Sequence, residues 1–291
     1  MNPSLVRLID RLFVLLLQLL PHHLLSRLVW LLTRWRWAPF KDWAIPRFIR
    51  LFDVDMSPAR TPYAVDYADF NAFFTRALRE GARPICGEGL LACPADGQIS
   101  ALGSIRGDGI LQAKGMDYSL QDLLGGDAAL AAQFHDGQFA TIYLSPRDYH
   151  RVHMPLSGQL REMIHVPGRL FSVNARTART LPRLFSRNER LVCLFDTQVG
   201  PMAVILVGAI FVGCMDTVWA GTVAPADLRN SRWRYGEVEP SIQLEQGEEM
   251  GRFNMGSTVI LLLGKDALSW QEHLREGSQV RMGEAFARLA A

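Results

Sequence analysis

Gly251-Arg252-Phe253-Asn254-Met255-Gly256-Ser257-Thr258-Val259-Ile260-Leu261-Leu262-Leu263 closes on a run of β-branched and leucine residues. A run so short and so uniformly apolar reads as a buried strand. The Gly-Ser-Thr triplet leads straight into it. A glycine before a serine leaves the Gly256 carbonyl unshielded, so a nucleophile can approach it closely. The bland alternative is a plain turn into a strand. The hydrolase signature G-x-S-x-G at a strand-to-helix elbow is not met, since neither a second glycine nor a helix follows Ser257.

Upstream, from about residue 84, the chain keeps this texture. Short apolar or alternating runs at 89–92, 98–102, 139–144, 159–166, 191–195 and 202–207 are separated by Gly, Pro, Asp and Asn, the pattern of a β-rich body. Residues 63–81 instead predict a helix, with Tyr67, Phe70, Phe73, Phe74 and Leu78 along one side and Gly81 as its stop. Residues 5–32 hold thirteen leucines, and Leu5, Leu8, Leu12, Leu15, Leu16 and Leu19 recur at helical spacings. Pro21 interrupts the period and Leu24, Leu25, Leu28, Leu31 and Leu32 restart it, so two helices meeting at a proline are expected. The fold class is therefore α+β, with N-terminal amphipathic helices over 1–60 followed by a β-rich, sandwich-like catalytic domain over 61–291.

The 291 residues are 49% hydrophobic and carry 31 Lys and Arg against 29 Asp and Glu, a net charge of +2. This excludes wholesale disorder, and near-neutrality argues against a nucleic-acid partner. The charge is unevenly spread. Residues 1–50 place Arg7, Arg11, Arg27, Arg34, Arg36, Lys41, Arg47 and Arg50 against Asp10 and Asp42, and the remainder is mildly acidic. Trp30, Trp35, Trp37 and Trp43 are interleaved with those cations. Indole rings and cations together suit the boundary between hydrocarbon and anionic headgroups, so monotopic attachment to an anionic membrane surface is expected. The alternative is that the leucines bury on the body or in a partner. No run reaches the roughly 18 to 20 apolar residues of a spanning helix. No small-x-small cleavage site follows residues 12–20, which argues against a signal peptide. Cys86, Cys93, Cys193 and Cys214 show no C-x-x-C pairing and suit a reducing compartment.

Two further segments carry chemistry. Tyr143-Leu144-Ser145-Pro146-Arg147-Asp148-Tyr149-His150-Arg151-Val152-His153-Met154-Pro155 reads as a helix start, with Ser145 as N-cap, Pro146 behind it, Asp148 in the first turn and Pro155 as the stop. His150 and His153 then share a helical face. Three roles stay open for them: satisfied structural histidines, acid and base groups, or metal ligands, although no further His or Cys cluster supplies a third ligand at a recognised spacing. Pro94-Ala95-Asp96-Gly97 is, by chemistry alone, a turn.

Taken together, these segments resemble the bacterial-type phosphatidylserine decarboxylase family of self-processing pyruvoyl enzymes. Lys114-Gly115 with Tyr118-Ser119-Leu120, and Phe185-Ser186-Arg187-Asn188-Glu189-Arg190, have the family's look as well, and the resemblance runs from about residue 60 to 264. Met255 departs from the family's usual leucine before Gly-Ser-Thr, a volume-conserving difference that leaves cleavage expected.

The resemblance implies that Ser257 is both nucleophile and future cofactor. Its hydroxyl attacks the Gly256 carbonyl in an N-to-O acyl shift. Elimination of the ester separates a large chain 1–256 from a small chain 257–291, and the dehydroalanine at 257 hydrolyses to ammonia and a covalent pyruvoyl group, the pyruvate cofactor. Asp96, His153 and Ser257 carry over as the self-cleavage triad, a weak nucleophile with a base and a carboxylate that fixes the base's tautomer. The pyruvoyl ketone then forms a Schiff base with the substrate's amine, CO2 leaves, and His150 is the proton donor to the carbon. The implied reaction converts phosphatidylserine to phosphatidylethanolamine at the cytoplasmic side of the cell membrane, with no metal, no nucleic acid, and homo-oligomerisation left open. Two other readings remain: a membrane-associated serine hydrolase using the same triad, and a non-catalytic membrane adaptor. Arg187 and Arg190 are candidates for holding the phosphate, against the alternative of a surface salt-bridge patch.

Overall fold

The computed structural model describes residues 14–15, 17–113, 116–211, 214–223, 230–236 and 240–290. Leu5, Leu8, Leu12 and Leu16 of the first leucine period, and the Lys114-Gly115 pair, lie outside the described residues.

All seven residues of Ser257–Leu263 are buried, as the apolar run requires. The strand lies inside a nine-stranded sheet of spatial order Ser231–Arg234, Gly158–Val166, Arg190–Thr197, Gly200–Val207, Ser257–Leu263, Gln138–Leu144, Gly97–Ser104, Gln279–Val280, with Gln243–Leu244 also paired to Gly158–Val166. Its pairings are antiparallel. Ser257 stands opposite Leu144 and Thr258 opposite Val207, so the serine heads a central strand. A four-stranded sheet adjoins it in the order Gly221–Val223, Met215–Thr217, Glu249–Phe253, Arg151–His153. Glu249–Phe253 runs directly into the Asn254-Met255-Gly256 connection, so Gly256 and Ser257 sit where one sheet hands the chain to the other.

Pro21 separates two helical stretches, one over residues 17–19 and the other over His22–Thr33. The second has an inverted face. His22, Ser26 and Thr33 are its buried residues, whereas Leu24, Leu28 and Leu31 are each more than half exposed. Its polar face is bonded to the body: the Phe211 N–H donates to Ser26 Oγ at 3.2 Å, and the His23 ring meets the Gly168 carbonyl at 3.0 Å. Ala38–Phe52 follows, with Pro39 at its start and Asp53 in the left-handed region at its end. Among the described residues no helix is long and apolar enough to cross a membrane.

The single helix expected over 63–81 is not formed. The segment holds a 3-10 turn, Ala64–Asp66, and a five-residue helix, Phe70–Phe74. Asp69 caps that helix by accepting from the Ala72 N–H at 2.8 Å. It stops because the following backbone is drawn into an extended pairing: Arg60 N–H donates to the Ala77 carbonyl at 2.8 Å and Arg79 N–H to Pro58 at 2.9 Å. The expected apolar side is kept except for Leu78, which lines the polar cavities beside Arg83 instead. Tyr67, Phe70, Phe73 and Phe74 form a small core with Ile45 and Phe48, and Met255 packs against both this cluster and the main core. A flexible methionine suits that irregular junction.

Candidate active site

Gly256 has φ +34°, in the left-handed region that favours glycine, so the backbone turns sharply into the Ser257 strand. Ser257 is 1% exposed, and its Oγ makes no hydrogen bond among the described residues. A buried hydroxyl left without a partner is costly, of the order of 1–3 kcal/mol, and such atoms cluster at functional sites.

The segment around the histidines is not the helix its sequence suggests. Asp148 accepts from both the N–H and the Oγ of Ser145 at 2.7 Å, closing a tight turn instead of a first helical turn. Beyond it Arg151–His153 pairs with Glu249–Phe253, and the His150 carbonyl accepts from the Phe253 N–H at 3.0 Å. In an extended chain residues three apart point to opposite faces, so His150 and His153 occupy separate environments.

His150 is fully buried with its ring 4.1 Å from that of Phe74. Its Nδ1–H donates to the Asp148 carbonyl at 2.8 Å, which leaves Nε2 as a bare acceptor, buried and unpartnered. Burial, reinforced by the Arg76 guanidinium, pushes its pKa down to about 3, so the ring is neutral. The tie to Phe253 places it four residues from Ser257 across the chain.

His153 lies in a cavity of about 250 Å³ with Tyr149, Arg83 and Glu249. Its Nδ1–H donates to the Gly247 carbonyl at 2.8 Å and its Nε2 accepts the Tyr149 hydroxyl at 2.9 Å. Burial holds its pKa below the ordinary value. Asp96 does not orient this ring. Its carboxylate is gripped by Arg83 through Nε at 3.1 Å and Nη2 at 2.5 Å, and accepts from the Met282 N–H at 2.8 Å. Asp96 lines a second cavity of about 310 Å³, and Tyr149 and Arg83 line both. The structure thus gathers Asp96 and His153 into one polar cluster, with Asp96 acting on His153 through its field, and hydrogen-bonds neither to Ser257. Gly97 explains the local path: a Cβ there would collide with the Tyr143 carbonyl.

Sequence reasoning missed Tyr149, Arg83 and Gly247. Tyr149 lies within the histidine segment 143–155, but nothing in the sequence joins Arg83 to Asp96 or Gly247 to His153. Arg190 is corrected as a phosphate candidate. It is 2% exposed, and its guanidinium is used by the carbonyls of Leu123, Ser186, Asn188 and Asp122. Arg187 stacks 5.0 Å from the Phe171 ring centroid, and Glu189 bonds His165 instead of either arginine, so among the described residues these three do not form a salt-bridge patch. Among the described residues no three His, Cys, Asp or Glu side chains converge as a metal site.

Fold and site together define an α+β enzyme whose candidate nucleophile is a serine buried at the head of a central strand. The family model for phosphatidylserine decarboxylase matches residues 70–288, and a second model described as PSD matches residues 12–53. The chain is 55% identical over 283 residues to the phosphatidylserine decarboxylase proenzyme of Azotobacter vinelandii, covering 97% of this chain and 99% of that one. It is 56% identical over 280 residues to the proenzyme of Pseudomonas aeruginosa (96% and 97% covered) and 54% over 283 residues to that of Pseudomonas putida (97% and 99%). The chain belongs to the phosphatidylserine decarboxylase family, and with that it is a decarboxylase, a carboxy-lyase.

Proposed function

We propose that this protein converts phosphatidylserine to phosphatidylethanolamine at a membrane surface, using a pyruvoyl group made from its own Ser257. The substrate follows from the names its relatives carry, and the word proenzyme in those names supports self-processing. The observation that carries the cleavage site is the buried, unpartnered Ser257 Oγ directly behind a glycine in the left-handed region. The residues fit the group: converting this hydroxyl breaks no hydrogen bond, and His150 presents a second buried polar atom without a partner.

In self-cleavage the Ser257 hydroxyl adds to the Gly256 carbonyl, the amide nitrogen leaves with a proton, and loss of the Ser257 α-proton expels the Gly256 carboxylate. His153 serves as base. The Gly247 carbonyl fixes its tautomer, the Tyr149 hydroxyl on Nε2 is the proton relay, and Asp96 favours the imidazolium through its field. A pyruvoyl group supplies a ketone that engages the substrate's amine and draws electrons from the bond to its carboxylate. His150 takes the proton that the substrate ammonium sheds and returns it to the carbon that loses CO2. Negative charge arriving with the substrate raises its low basicity for that task.

The outward leucines of His22–Thr33, with exposed Trp35, Trp37 and Trp43, support attachment to the bilayer. The free cysteines suit its cytoplasmic side. On phosphatidylserine vesicles the purified protein should yield CO2 and phosphatidylethanolamine in equal amounts, and hydroxylamine, which captures ketones, should abolish both. Turnover untouched by hydroxylamine would remove the pyruvoyl group from the account. Release of free serine or fatty acid would favour a serine hydrolase.

A further inference from the structure

A cavity of about 320 Å³ lies between the end of the His22–Thr33 helix, the Phe70–Phe74 helix and the Glu249–Phe253 strand. Arg34, Arg36 and Arg252 line it against one carboxylate, Asp69. Two of these cations are engaged. Arg36 lies 3.7 Å from Asp69, and Arg252 Nε donates to Asp216 at 2.9 Å. Arg34 forms no ion pair among the described residues. Its guanidinium is held 4.5 Å from the Trp30 ring centroid, and its Nη1 is buried without a hydrogen-bond partner. A surplus of guanidinium in a cavity is a site for an anion, and its fork suits phosphate oxygens.

The cavity touches both the Glu249–Phe253 strand, which leads into Ser257, and the membrane-facing segment. Asn71 on its wall donates to Asn254 Oδ1 at 3.0 Å. Asn254 is three residues from Ser257, at most about 11 Å away along an extended chain. On the other side, Trp35 and Trp37 alternate with Arg34 and Arg36 beyond the helix end. The indoles are 49% and 53% exposed with their rings 4.9 Å apart, while the two guanidiniums line the cavity. Rings at the hydrocarbon boundary set the cavity at headgroup depth.

We propose that this cavity binds the phosphodiester of the substrate lipid, with Arg34 and Arg252 holding the headgroup so that its amine reaches residue 257. The assignment rests on the decarboxylase reading. Wild type, Arg34→Gln, Arg252→Gln and the charge-keeping Arg34→Lys are assayed on dihexanoyl phosphatidylserine below its micelle concentration. Release of residues 257–291 and pelleting with phosphatidylglycerol vesicles are followed in parallel. The neutral variants should raise KM tenfold or more with kcat within twofold, complete fragment release and unchanged pelleting, and Arg34→Lys should recover part of the loss. Should Arg252→Gln fail to fold without its Asp216 pair, Arg34→Gln decides alone. Unchanged KM with normal fragment release overturns the site and leaves the decarboxylase reading standing. Lost pelleting with unchanged KM also overturns it, in favour of a structural lipid site. A wild-type chain that neither cleaves nor decarboxylates removes the reading and the substrate site together.

Discussion

Replacing Arg83 by methionine would strip Asp96 of its only cationic partner among the described contacts. The pair is bidentate, and the two side chains are 14% and 11% exposed, so little solvent screens it. Breaking one half of such a buried pair leaves an uncompensated charge, typically about 3 kcal/mol or more in cost. The Met282 N–H still donates to Asp96, which argues for the lower end of that range. For a chain of this size, about 3 kcal/mol corresponds to a fall in Tm of about 6 °C. The assay is thermal and urea unfolding in a Ser257→Ala background, where a single uncut chain keeps the transition interpretable. Asp96→Asn and the double variant complete a cycle, and the coupling should be about 2 kcal/mol. Additivity within about 0.5 kcal/mol, or a Tm loss below about 2 °C for Arg83→Met, would refute the argument that this pair anchors Asp96.

His153→Ala and Asp96→Ala should accumulate uncut chain, whereas His150→Ala should cut, at least partly, and turn over poorly; full decarboxylase activity in His150→Ala would end its role as proton carrier. Both histidines are held below their ordinary pKa of 6.5, so each favours the neutral form on folding and contributes stability that is complete above pH 6.5 and is lost as pH falls toward the folded value, about 3 for His150. Urea unfolding of the Ser257→Ala chain should therefore show stability falling below pH 6.5 by up to about 1.4 kcal/mol per pH unit for each histidine, and a His150→Gln variant that kept the full slope would contradict this. Three or four inserted leucines at roughly 1.5–3 kcal/mol each outweigh attraction of about 1 kcal/mol per surface cation, so membrane attachment should survive high salt and yield to detergent. Release by salt alone would leave only electrostatic docking.

The β-rich body was legible because its strands show as short apolar or alternating runs, and each of the seven expected runs coincides with an observed strand, Gly89 alone falling outside. The second leucine helix, His22–Thr33, was legible from its spacings of three and four, but its orientation was not. Periodicity tells that Leu24, Leu28 and Leu31 share a face, not that His22 and Ser26 face the body, which depends on partners as remote as Phe211. Residues 63–81 and 145–155 were misread because helix signals are local. Asp148 sits where a helix-capping acid would, yet it closes a turn that long-range pairing with Glu249–Phe253 converts into a strand. In the candidate site, Ser257, Gly256, Asp96 and both histidines are named through their motifs and the family resemblance they carry. Their partners could not, because a carbonyl such as that of Gly247 leaves no trace in residue type.

The intact mass of the purified, active protein under denaturing conditions bears most directly on the central claim. Self-processing gives two chains, residues 1–256 and residues 257–291, with the smaller lighter by one ammonia than a serine-ended peptide of that sequence. The missing ammonia distinguishes self-processing from proteolytic nicking. A single chain of 291 residues in fully active material, or a small chain that keeps an ordinary serine at its start, would contradict it.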